Sequence, residues 1–546
     1  MPALPQELLE RIVSYADHDT HITLLTVSRD FQVTVERLKY PRCAELGRGR
    51  PLAEILARYR GHRVQFLREV ELTVTFPELK HTDEHPLACR ETREDLHEID
   101  RLFSNQIFAL FTALKEHRDK TTTAEPSPPS ITLRIKMDPQ NDDGEKPCHH
   151  RRYTSWRLHL LNASSLPSLA FVHTLHFEAK DATHRPDDNA VRPLDLSALL
   201  WLTHALPGLT TLTCPYLYER DSPNYSTAAW NHYTHPWPGP RRDARHAFAR
   251  ALAPSPAAPT ATPQPAPALP PALSRATLHF SQLQQYGPAL SRQDRPLPDL
   301  AYPLPHDPLS AALRAFSLNL VELDLRVQAD ASLFWPPAEA SSAAEPTWPR
   351  LKRLRVELHP ALPDGSWLFC GPRGEDPMGG GGYRITDEEH YPPLGPSERD
   401  EEVDAAFANE GGGAEEGEPC CFRVEPVRER VEEVLGAFAR AVRRMPVVER
   451  ADVGVYLAWA PGWEMEEEYE DEAPFGEDEE SLHRWGVEYV RSEGGKAVVE
   501  WQVGEWRPSD ELLELFESAN DGGEVEMIWK DFEFIHMRTL DGEVVY

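Results

Sequence analysis

Few residues in this 546-residue chain stand at spacings that do chemistry. Cys148-His149-His150 brings three metal-ligating residues together, but adjacent residues cannot all face one ion, and no partner pair lies at ligand spacing. Gly379 to Gly382 is a glycine run without the Lys-Ser/Thr that phosphate cradling needs, so it reads as a flexible loop. No G-x-S-x-G, H-E-x-x-H, P-loop or strand-following G-x-G-x-x-G occurs. Carboxylates are plentiful, yet no acid–base pair stands apart from the rest. Trp459, Trp463, Trp501 and Trp506 cluster near the C-terminus. Strand or core packing is their default role, with an exposed recognition patch as the alternative. No catalytic residue, cofactor or metal is expected from these residues.

The bulk numbers narrow the classes further. Lys and Arg total 57 against 89 Asp and Glu, a net charge of −32. Arg/Lys-rich stretches are short, such as Arg48 to Arg50 and Arg440 to Arg444, so neither nucleic acid nor an acidic membrane is an expected partner. The seven Cys are odd in number and scattered without C-x-x-C, which fits reduced thiols of an intracellular protein. Glu7, Glu10 and Arg11 break the N-terminal apolar residues, so no signal peptide is expected, and no apolar run of about 18 residues predicts a membrane span.

The elements that must position any site begin with Leu4 to Leu38. Pro5 suits a first helical turn. Leu8, Leu9, Ile12 and Val13 recur at helical spacing, with Gln6, Glu7, Glu10 and Arg11 opposite. Asp17 to Thr20 breaks the pattern and offers capping oxygens. Ile22, Leu24, Leu25 and Val27 follow, then Phe31, Val35 and Leu38, which predicts three short helices. Beyond them, strand-like segments recur: Val70–Phe76, Ile131–Met137, Val172–Phe177, Leu209–Thr213, Thr277–Phe280, Leu320–Val327, Leu351–Leu358, Ala451–Leu457, Val487–Val490 and Ala497–Val503. Helical stretches lie between several of them: Glu94–Glu116, Asp195–Ala205, Arg242–Ala251, Ser310–Asn319 and Arg428–Arg444.

Leu209, Leu320 and Leu351 each open an L-x-x-L-x-φ strand, the pattern of one leucine-rich repeat strand. From residue 131 the strand starts are 41, 37, 68, 43 and 31 residues apart, irregular for a standard repeat. The expected fold class is therefore α/β (α+β): three N-terminal helices followed by an irregular leucine-rich-repeat-like solenoid with disordered insertions. A globular α+β domain is the alternative. The predicted insertions are Thr121–Ser130, Ala253–Pro271, Pro336–Pro346, the Gly/acidic region 371–419, and Glu464–Glu480, which holds eleven carboxylates and no base. The expected units are 1–45, 46–370, the linker 371–419, and 420–546 as an α/β continuation.

Leu4, Pro5, Glu7, Leu8, Leu9 and Ile12 spell L-P-x-E-φ-φ-x-x-I, with Tyr15 three residues on. Leu24, Leu25, Val27, Ser28, Arg29 and Phe31 then supply a Leu-rich helix closing in Val-Ser-Arg and an aromatic. In this pattern and position the segment resembles the F-box family. It departs from the family at Ala16, where a larger aliphatic is common, and in a short, polar inter-helix segment. Phe438 to Pro446 and Trp501-Gln-Val-Gly-Glu-Trp506-Arg-Pro508 look like the uncharacterised C-terminal region of filamentous-fungal F-box proteins.

The resemblance implies a partner. About 40 residues bury too little surface to be very stable alone. In the family a Skp-type adaptor completes that core and links it to a cullin. Carried over residue by residue, Leu4, Pro5, Leu8, Leu9 and Ile12 would meet the adaptor, and Leu24, Val27 and Phe31 would share adaptor contact with internal packing. The implied function is a non-enzymatic substrate receptor of an SCF-type ubiquitin ligase, cytoplasmic or nuclear, that binds an unidentified protein target. A scaffold whose F-box acts outside ubiquitin ligation is the alternative, and a plain helical cap on the first repeat is the structural one.

Overall fold

The computed structural model describes the chain apart from residues 1–3, 40–41, 47–50, 78–90, 122–128, 139–155, 180–191, 216, 218, 220–236, 253–266, 282–291, 339–344, 377–380, 393–394, 396, 399–400, 403–419, 463–468, 470–480, 493, 521–522, 537–538, 541–542 and 545–546. Three helices open it: α1 (Gln6–Tyr15), α2 (His18–Val27) and α3 (Arg29–Lys39). Pro5 sits just ahead of α1, one residue earlier than its helical pattern predicts. Asp17 caps α2 by accepting from the Thr20 amide at 2.8 Å. α3 packs on both α1 and α2.

The remainder is mixed α/β around one 13-stranded sheet. Its first eight strands are β1 (Cys43–Leu46), β2 (Glu69–Val74), β3 (Ile131–Met137), β4 (Val172–Ala179), β5 (Thr211–Cys214), β6 (Arg275–His279), β7 (Glu322–Val327) and β8 (Arg353–Leu358). They lie side by side in chain order, each parallel to the next. β9 (Phe369–Cys370) and β10 (Glu425–Pro426) form a separate antiparallel pair. β11 (Arg450–Leu457) then pairs with β8 in parallel, and β12 (Ser481–Arg491) and β13 (Ala497–Gln502) continue antiparallel. β14 (Val525–Trp529) adds to β13, and β15 (Glu533–His536) pairs with β12. The β8–β11 pairing carries one sheet and one core across the predicted 371–419 linker.

Parallel neighbours need crossovers. Here these include α4 (Leu52–Leu56), α5 (Arg93–Thr121), α6 (Leu196–His204), α7 (Pro238–Leu252), α8 (Pro308–Ser317) and α9 (Arg428–Arg443); α10 (Asp510–Glu517) links β13 to β14. Strand alternation decides what they cover. On β3, Ile131, Leu133, Ile135 and Met137 point into the core, while Thr132, Arg134 and Lys136 remain partly exposed. Phe103 and Phe111 of α5, Leu202 of α6, Phe248 of α7, Leu313 of α8 and Phe438 of α9 join the same core. The helices thus cover one face of the sheet, and the other face is polar.

The first leucine of each L-x-x-L segment is buried ahead of its strand: Leu209, Leu320 and Leu351. Each donates its amide to a residue three back, at 2.9, 3.0 and 3.4 Å, and so plugs the core at the turn into the strand. That local likeness does not make a leucine-rich repeat. Parallel strands start 26 to 97 residues apart, against about 20–29 for such repeats. α5 alone spans 29 residues, a full repeat's length. The expected leucine-rich-repeat-like solenoid is corrected to a mixed α/β fold with a large, mostly parallel sheet.

An ionic network is buried among α7, α8 and the strand ends. Arg245 donates to both Asp307 oxygens at 3.2 and 2.6 Å and to Glu219 at 2.5 Å, and its guanidinium is wholly enclosed. Asp307 also caps α8 through the Ser310 amide at 2.8 Å. The neighbouring Asp330 carboxyl is pushed up by burial and by the Asp307 charge.

Candidate functional site

The N-terminal helices bury little and expose much. Leu9, at 3% exposure, Val13 and Val35 form their interior. None of the three belongs to the contiguous core that starts at Ala44. Among the described residues, twelve large hydrophobic side chains are exposed, and eight of them lie between residues 4 and 38. Leu4, Leu8 and Ile12 are 47%, 46% and 42% exposed, and Val27 is 59% exposed. Pro5 is exposed as well. Leu24 and Phe31 are half-buried, in keeping with a share in internal packing. Leu9 differs from its expected role: it faces the cluster's interior, because its position on α1 falls with Val13 on the side turned to α3. Tyr15, Ile22, Leu25 and Leu38 extend the exposed apolar surface beyond the expected residues.

One buried carboxylate ties the cluster to the sheet. Glu36 of α3 accepts from Arg63 at 2.7 Å and contacts His62, both on the short helix Gly61–Phe66. Burial opposes its charge, but hydrogen bonds from Arg63, His62 and Gln32 overcome that and hold the carboxyl down at about 2.

The second feature is the polar face of the sheet, where β5–β8, β11–β13 and Lys530 just past β14 line a groove of about 920 Å³. Register sets Asp324, Arg355, Asp452 and Glu488 side by side on successive strands. One step along, Gly454 faces Gly486, and the Arg484 guanidinium lies over both. A Cβ at Gly454 would stand 2.6 Å from Arg484 Nη2, so only glycine leaves that bed open. Arg484 is held there by Asp452 and by Gln502 at 2.8 Å. Next to it Glu357 is buried, 3.2 Å from Arg326 Nε, and neither carboxylate oxygen accepts a hydrogen bond. Burial pushes its carboxyl up to about 7, with Arg326 and Arg355 pulling the other way.

The other sequence candidates fall elsewhere. Cys148-His149-His150 lies outside the described residues. In the glycine run, Gly382 is packed rather than loose: its amide donates to the Asp364 carbonyl at 2.9 Å, and a Cβ there would meet the same oxygen at 2.5 Å. Trp501 is fully buried and stacks on Trp529, and Trp506 packs against Trp485. Trp459 lies against Tyr469, and Trp463 is outside the described residues. The polar groove was not anticipated. Its signal was present in the alternation of charge and Leu/Val in Arg353 to Leu358 and in glycines interrupting two apolar strands, Gly454 and Gly486.

Among the described residues, no helix is long and apolar enough to cross a membrane. Compared with known proteins, the chain matches no family model and no curated protein.

Proposed function

We propose that the chain is the substrate-receptor subunit of an SCF-type ubiquitin ligase, with residues 1–45 as its F-box. The observation that supports this reading is the uncovered apolar face formed by Leu4, Leu8, Ile12 and Val27, at positions where the F-box pattern meets its adaptor. Covering each half-exposed leucine or isoleucine would contribute on the order of 1 kcal/mol. A Skp-type adaptor is the partner that fits, and through it a cullin. The mechanism is proximity: the helices fix the adaptor, the sheet domain holds the target, and a ubiquitin-loaded enzyme elsewhere in the assembly does the chemistry. Such a subunit works in the cytoplasm or nucleus and is not itself an enzyme.

Affinity purification of the tagged chain, followed by mass spectrometry, tests this. Recovery of both adaptor and cullin is the expected result. Recovery of adaptor without cullin would replace the ligase reading with a scaffold, and recovery of neither would end both.

A further inference from the structure

The groove on the polar sheet face is asymmetric in how its charges are used. Six cations and five carboxylates line it, whereas the whole chain carries 57 and 89. Its lining is therefore close to balanced, with one cation in excess, in a strongly acidic molecule. At the β11–β14 end the charges are paired: Arg484 with Asp452, Arg450 with Glu488, and Lys530 with Glu500. At the β6–β8 end the pairing is looser. Arg275 hydrogen-bonds only the Thr211 hydroxyl, at 3.2 and 3.0 Å, with no carboxylate within 4.0 Å among the described residues. Arg355 is exposed and has no carboxylate within 4.0 Å among the described residues, although Asp324 and Asp452 flank it in register and their charges act on it. Arg353 is 66% exposed and meets Glu322 and Glu449 only at 3.7 and 4.0 Å. Asp324, the carboxylate between these strands, lies 3.5 Å from His279.

Geometry sets the spacing of what these guanidinia can hold. Arg353 and Arg355 stand two residues apart on one face of β8, which is about 7 Å. Arg275 lies two strands away in the same register row, about 10 Å. An extended peptide places alternate side chains on one face at the same interval of about 7 Å. Guanidinium forks bind carboxylate or phosphate oxygens in pairs.

We propose that Arg275, Arg353 and Arg355 form a recognition site for an extended acidic segment with anionic side chains two residues apart. On the substrate-receptor reading, which this inference rests on for its biological meaning, that segment belongs to the target protein. The anions come from Asp and Glu or from phosphorylated side chains, since both offer the oxygen pairs that guanidinium forks accept.

Fluorescence anisotropy with the full-length chain tests it, using labelled peptides that alternate glycine with glutamate, phosphoserine, glutamine or lysine. The glutamate or phosphoserine peptide should bind, weakening as salt rises, and whichever binds tighter identifies the anion source. The glutamine and lysine peptides should not bind. Arg275→Gln and Arg355→Gln should each weaken binding roughly tenfold, the loss of one charge-assisted contact, with circular dichroism unchanged. Absence of binding by both anionic peptides, preference for the lysine peptide, or affinity untouched by either substitution overturns the proposal. Adaptor binding measured on the same preparations separates the two readings. Peptide bound without adaptor removes the ligase reading and keeps the site, and adaptor bound without peptide removes only the site.

Discussion

The N-terminal helices and the sheet domain solve the problem of apolar surface in opposite ways. In the sheet domain, one face of every strand in the body of the sheet is sealed by helices into a single continuous core. Even charged groups inside it, such as Arg245 with Asp307 and Glu219, are enclosed and paired with one another. In residues 4–39 only Leu9, Val13 and Val35 supply a buried apolar interior, and the helices leave more hydrophobic surface outside than in. A domain of several hundred residues can bury its apolar side chains; three helices of ten or eleven residues cannot. The difference teaches that one region is finished by its own chain, while the other leaves the apolar face on which the proposed adaptor contact rests.

The largest effect that sharpens this contrast should come from the sheet domain's interior. Arg245→Ala leaves Asp307 and Glu219 as uncompensated buried charges and should cost about 3–5 kcal/mol in urea unfolding. An unchanged midpoint would mean that the interior is not sealed as described. Next is Leu9→Ala. As an interior residue it should destabilise the helical cluster by about 2 kcal/mol or more, read by hydrogen exchange of the α1 amides. Loss of adaptor affinity with no change in that exchange would return Leu9 to the binding face.

Smaller effects concern the joint and the groove. The folded Glu36 carboxyl is held at about 2, below its usual 4.5. Its contribution is therefore complete above about pH 4.5 and lost as pH falls toward 2. Glu36→Gln should loosen the helices from Gly61–Phe66 at neutral pH and abolish the difference from the parent chain at pH 2, as followed by exchange protection. Glu357 is the reverse case, raised from 4.5 to about 7. The folded chain holds its proton more tightly, so stability is highest below about 4.5 and declines as pH rises through 7. Glu357→Gln should flatten that decline in thermal melts between pH 4.5 and 8; an unaltered profile would show that the carboxyl ionises normally.

Much of this was legible because core-facing periodicity survives in single segments. The predicted Ile131–Met137 strand has its observed bounds, and Val172–Phe177, Ala451–Leu457 and the helix Arg428–Arg444 differ only at their ends. The four-residue β1, the edge strand β14 and the short α10 were missed, since each is too brief to show a period. The repeat architecture misled because L-x-x-L marks a leucine that plugs a helix-to-strand turn, and that need arises in any parallel crossover. At the N-terminus the sequence reading placed Leu4, Leu8 and Ile12 on the adaptor-facing side but could not separate Leu9, one step around α1 from Leu8. The groove was invisible for a different reason: its charges come from six strands and from Lys530 just past β14, and only register brings them together.

The account stands most directly on calorimetric titration of the full-length chain with a Skp-type adaptor. The parent chain should bind, and Leu8→Asp/Ile12→Asp should show no detectable binding while its melting temperature stays within the parent's error, both side chains being exposed. Equal affinity in parent and double variant, or no binding by the parent, would contradict it.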